Sequence, residues 1–123
     1  HNDVVTIYFD GIALTSLTYT DEIYAHSDLY IGSENTENTY LDGKMSNFRW
    51  VRGTAVYTEN FTPPTSPLGV IGDTVLLTLQ GEDLTSELID NSGYDNVITN
   101  TNTTYSTDNP FRGYTGSILF GNF

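Results

Sequence analysis

The chain has 123 residues, with 16 acidic and 4 basic side chains, no cysteine and a formal net charge of -12. So few cations argue against a nucleic-acid surface, because phosphate contact needs Lys and Arg, and against an anionic membrane as partner. Without cysteine there is neither a disulfide framework nor thiol chemistry, and no apolar run approaches the ~20 residues needed to span a bilayer as a helix.

The length suits one small domain with a modest core. Thr, Val, Ile, Tyr and Phe are abundant, and Asn, Asp, Gly and Ser recur between apolar runs, which predicts an all-β antiparallel sandwich or barrel. No signal peptide is visible and the first residue is His1, as expected of a processed product or a partial sequence.

Residues 4–9 predict a strand, with Val5, Ile7 and Phe9 on one face and Val4, Thr6 and Tyr8 on the other. Asp10-Gly11 is a hairpin turn, and Ile12, Ala13 and Leu14 begin the return strand. Residues 15–27 read as a long polar loop with an acidic corner at Asp21-Glu22, with a short strand inside it as the alternative. Residues 29–32 predict the next strand, followed by a polar loop over 33–39.

Asp42-Gly43 is a second hairpin signal. The run after it carries Met45, Phe48, Trp50 and Val51. These share a face only if the strand bulges near Ser46-Asn47. Arg49 and Arg52 then point elsewhere and are expected to meet carboxylates. Residues 54–58 predict a helical turn, and residues 61–67 an extended link, since each residue before proline avoids the helical region. Residues 73–81 predict a strand with Val75, Leu77 and Leu79 on one face. Residues 90–96 form a turn-rich loop, Val97-Ile98-Thr99 and Tyr105 short strands, and residues 116–121 a last strand.

Several of these features together resemble a concanavalin A-like, or laminin-G-like, jelly-roll repeat of phage and bacterial surface proteins. They are Gly43, Met45, Phe48-Arg49, Trp50-Val51, Ala55, Tyr57 and Phe61-Thr62-Pro63-Pro64, which match its last strands. The run from Leu76-Leu77 through Asp90 and Ser92-Gly93 to Gly116-Ser117 and Phe120 resembles its first strands. The resemblance implies that residues 1–68 are the C-terminal half of one repeat. Residues 69–123 are then the first strands of a following repeat, or a permuted completion of the same sandwich. A partial or permuted sandwich leaves an apolar face and open edges, which recruit other chains. The expected partners are neighbouring copies or adjacent repeats, joined by strand addition.

No catalytic constellation can be assembled. His1 and His26 lie in no nucleophile or metal motif, and no pair of carboxylates is spaced for glycoside hydrolysis. Asp90, Asn91 and Asp95 crowd one turn and are the candidate calcium ligands, since hard cations want loop oxygens; an Asx-type turn explains the same residues. Tyr40, Trp50 and Tyr57 are the candidate carbohydrate platform, although Trp50 and Tyr57 equally suit packing. Asn60-Phe61-Thr62 and Asn102-Thr103-Thr104 match glycosylation acceptors, a pattern that chance readily supplies in a chain rich in Asn and Thr.

The expected function is a non-enzymatic structural or adhesion module of an extracellular, cell-surface or virion exterior, with glycans as the ligand the resemblance implies. The alternative is a purely structural fibre or filament subunit, completed by a neighbouring chain and binding no sugar.

Overall fold

The computed structural model describes residues 3–20, 28–33, 39–111 and 117–120. The acidic corner Asp21-Glu22, both histidines and the 34–38 part of the polar loop lie outside these residues. The chain forms two compact units, one from His1–Leu29 and Val56–Pro63, the other from Tyr30–Ala55 and Pro64–Phe123.

The first unit is an antiparallel ribbon of β1 (Asp3–Phe9) and β2 (Ile12–Tyr19). Its turn is the predicted Asp10-Gly11, with φ of 50° and 78°, the left-handed pair that a tight hairpin requires. The return strand is longer than its first three residues suggested and runs to Tyr19. Alternating Thr and apolar residues sustain it. Between Ile7 and Tyr8 the register shifts, so that Ile7 pairs with Thr15 and Tyr8 with Ala13, leaving Leu14 as a bulge.

Alternation then sorts the side chains. Val5, Ile7, Phe9, Ile12, Leu17 and Tyr19 share one face. Val4, Thr6, Tyr8, Ala13, Ser16 and Thr18 share the other. On the second face the Thr6 and Ser16 hydroxyls hydrogen-bond at 2.8 Å, and Tyr8 packs on Tyr57 and Phe61. Those two rings stack 3.5 Å apart and nearly parallel. The segment is pinned to the ribbon by Phe61 N–H donating to the Gly11 carbonyl (2.9 Å) and Ala13 N–H donating to Asn60 Oδ1 (2.9 Å).

The second unit holds β3 (Gly43–Met45), β4 (Phe48–Val51), β5 (Thr74–Thr78), α1 (Leu84–Glu87), β6 (Thr104–Ser106) and β7 (Ser117–Phe120). They form two antiparallel sheets, β3-β7-β6 and β4-β5. Asn47, at φ 56°, is the bend anticipated between Met45 and Phe48. It sends β3 and β4 into different sheets. Met45 and Phe48 both pack on Leu79, together with Leu84 and Leu88, whereas Trp50 stays 44% exposed.

The β4–β5 and β3–β7 pairings cross the division expected between residues 68 and 69. Residues 29–32 form no strand. The chain turns at Gly32 (φ 75°) and is closed by a lone Ser33–Tyr40 bridge. Gly43 likewise opens no hairpin, because its strand pairs with the distant β7. Residues 54–58 are irregular rather than helical, and 97–99 are not a strand.

The short helix α1 was not anticipated. Its signal is Asp83, whose side chain accepts from the Ser86 N–H at 2.8 Å, while Ser86 Oγ accepts from the Asp83 N–H in return. This is a reciprocal cap that satisfies two orphan donors.

Candidate functional site

The three aromatic candidates are divided between the units. Tyr57 belongs to the first, half-buried in its stack on Phe61, and there it packs rather than presents a ring. Trp50, on β4, and Tyr40, in the lone bridge, belong to the second unit and are 44% and 52% exposed.

The 90–96 loop is built around one carboxylate. Asp90 Oδ1 accepts from the Leu77 N–H (3.1 Å) and Ser92 N–H (2.9 Å). Its Oδ2 accepts from Ser92 Oγ (2.9 Å), Asn96 N–H (3.0 Å) and Asn96 Nδ2 (2.7 Å). Burial pushes this carboxyl up, but the donors outweigh it and hold Asp90 far below the usual carboxylate range. The same loop closes the open edge of β5. Asn91 N–H donates to the Leu77 carbonyl at 2.6 Å, and Asn96 Nδ2 to the Val75 carbonyl at 2.7 Å.

The geometry is therefore that of an Asx-type turn sewn to a strand. Asn91 and Asp95 are exposed, and Asp95 is left-handed at φ 54°. A cation at Asp90 would have to displace five donors. Among the described residues no three His, Cys, Asp or Glu side chains gather as metal ligands.

The arginines part ways. Arg52 meets the expected carboxylate, with Nε and Nη2 each 3.0 Å from Asp73 Oδ2, while Asp73 Oδ1 accepts from the Tyr94 hydroxyl at 2.8 Å. The Tyr94 hydroxyl, then the Arg52 guanidinium, lower the Asp73 carboxyl, and the same Asp73 bond raises the Tyr94 hydroxyl. Arg49 instead donates to the Gly69 carbonyl at 2.9 Å. Lys44 pairs with Asp108.

Two buried features were missed. Asn47 Oδ1 accepts from the Leu68 N–H (3.0 Å) and from Gln80 Nε2 (2.8 Å), and Gln80 Nε2 also reaches the Leu68 carbonyl (2.7 Å). Glu87 is fully buried, and neither carboxyl oxygen has a hydrogen-bond partner among the described residues. Its exposed-type chemistry and its place in a polar stretch gave no local cue to burial.

A further surface feature, among the described residues, is the apolar ribbon face. Val5, Ile7, Phe9, Ile12, Leu17 and Tyr19 are 43–72% exposed. No family model, curated protein or solved structure matches the chain.

Proposed function

We propose that the chain is a non-enzymatic structural module of a cell-surface or virion exterior. Its jelly-roll-like sandwich is completed by β-structure from a neighbouring copy or an adjacent repeat. The observation that carries this reading is the ribbon. A two-stranded ribbon is marginal alone and needs more strands or a packed face. Here Tyr57 and Phe61 pack on Tyr8 of one face, while the other presents six apolar side chains to solvent. Each forgoes on the order of 1 kcal/mol of burial, and apolar patches of this kind mark interaction surfaces. Asp3, paired with Tyr19 at the open end of the ribbon, is the one acid of β1 and β2 on this face, so a partner sheet seated on Val5, Ile7, Phe9, Ile12 and Leu17 meets mainly apolar side chains despite the chain's net charge of -12.

The resemblance to laminin-G-like repeats supports the same reading, because that fold is a two-sheet sandwich. Light scattering over a concentration series tests it, comparing the native chain with Ile7→Lys on the apolar face and Thr18→Lys on the opposite face. Association that Ile7→Lys abolishes and Thr18→Lys preserves is the expected result. A native chain that stays a cooperative monomer at all concentrations refutes it.

Glycan binding is the second reading, favoured by the exposure of Trp50 and Tyr40. It predicts a glycan-array signal that Trp50→Ala removes.

A further inference from the structure

We propose that Glu87 makes the second unit a pH-responsive structure, packed while the side chain is a neutral acid and released at the α1–β5 junction when it ionises. The argument begins with geometry. Glu87 is fully buried and both of its carboxyl oxygens lack hydrogen-bond partners among the described residues. A buried carboxylate with no partner is far costlier than a buried carboxylic acid.

Among the described residues no neighbouring charge relieves it. On α1 itself, Asp83 is committed to Ser86. In the preceding turn Glu82 is exposed, and the β5 end contributes only Thr78, Leu79 and Gln80. β7, which packs on α1, contains no ionisable residue. Across the cluster, Lys44 is held by Asp108 and Arg49 by the Gly69 carbonyl, and Asp90 is saturated by its own donors. Burial therefore pushes the Glu87 carboxyl up. The Gly81 N–H lies near enough to oppose the rise without reaching hydrogen-bonding geometry.

The position of Glu87 turns its protonation into a structural event. Its carbonyl accepts both the Leu79 N–H (3.0 Å) and Thr78 Oγ1 (2.9 Å), bonds that tie α1 to the end of β5. Leu79 is itself held at φ 60°, a left-handed conformation that bulky residues adopt only under constraint. Asn47 N–H donates to the Leu79 carbonyl (2.7 Å), so the same residue also anchors the bend between β3 and β4. Hydration of an ionised Glu87 requires the side chain to leave the interior, which pulls on all three bonds. A group raised in the folded state stabilises it below its ordinary value, near 4.5. That stability is lost as pH rises through the folded-state value.

The test is amide hydrogen exchange on the full chain between pH 5 and 8 at constant ionic strength, corrected for the intrinsic pH dependence of exchange. Protection at Leu79 and Ile89 is expected to fall at least about tenfold more in the native chain than in Glu87→Gln. General repulsion among the acidic side chains acts on both and cancels in the comparison. Equal pH profiles in the two proteins overturn the proposal. Direct carboxyl NMR titration of Glu87 in the native chain keeps the test open should the variant fail to fold. A midpoint at or below the ordinary glutamate value overturns the proposal as well, and a raised midpoint supports it.

Discussion

Replacing Asp90 by alanine removes the acceptor for five hydrogen bonds at once. Three of the donors are backbone N–H groups, of Leu77, Ser92 and Asn96. Leu77 is only 3% exposed, so its N–H has no water to turn to. Hydrogen bonds to a charged group are worth roughly 1.5–3 kcal/mol each, but they act as a unit and exposed donors recover water. The expected loss is therefore about 3–5 kcal/mol, a large part of the ~5–15 kcal/mol that holds a typical small domain together.

Trp50, the single tryptophan, pairs with Leu76 on β5, so urea unfolding followed by its fluorescence reads the loss directly. Asp90→Asn is expected to fall almost as far, because its amide nitrogen would face the Asn96 donors. The pH dependence has a definite sign. Asp90 is depressed in the folded state, so its contribution is complete above its ordinary value near pH 4 and is lost as pH falls further. Asp90→Ala should thus have a flatter stability profile between pH 4 and 2. A loss below about 1 kcal/mol in Asp90→Ala, or full stability in Asp90→Asn, would show that the carboxylate does not hold the loop to β5.

Gly11→Ala places a Cβ against the Phe61 carbonyl oxygen and 3.0 Å from Pro63 Cδ, at a φ of +78°. The left-handed conformation alone costs about 1–2 kcal/mol, so the Phe61 amide should lose its exchange protection. Asn47→Ala strips the Leu68 N–H and Gln80 of their shared acceptor and leaves alanine at φ 56°. About 2–3 kcal/mol should be lost in urea titration, and Asn47→Gly should recover the conformational part. Asp73→Asn weakens the bonds from Arg52 and Tyr94. Tyrosine absorbance titration should then show Tyr94 deprotonating at lower pH than in the native chain, since the Asp73 bond is what raises it.

The ribbon was legible residue by residue. Period-two alternation over Val4 to Phe9 and the Asp10-Gly11 pair are local signals, and strand and turn form where those signals stand. The bend at Asn47 was legible for the same reason, because Met45, Phe48 and Trp50 do not share one strand phase.

Pairing is a different kind of information. Gly43 opens a strand whose partner lies at Phe120, and Phe48 is paired with Thr78. Neither choice is written in the neighbouring residues, since backbone hydrogen bonds are chemically alike at every position and only burial selects among partners. The acidic turn shows the same division. Composition placed Asp90, Asn91 and Asp95 together, but only the fold brought the open edge of β5 alongside and gave Asp90 backbone donors to hold.

Glu87 marks the furthest reach of tertiary structure. Its sequence neighbours describe a capped, polar helical turn, and a glutamate there reads as solvated. The packing of α1 against the end of β5 decided its burial. The exposed ribbon face is the converse case. The sequence by itself determined that Val5, Ile7 and Phe9 lie together and want burial; the tertiary structure set Leu17 beside them through the β1–β2 register and left all four exposed.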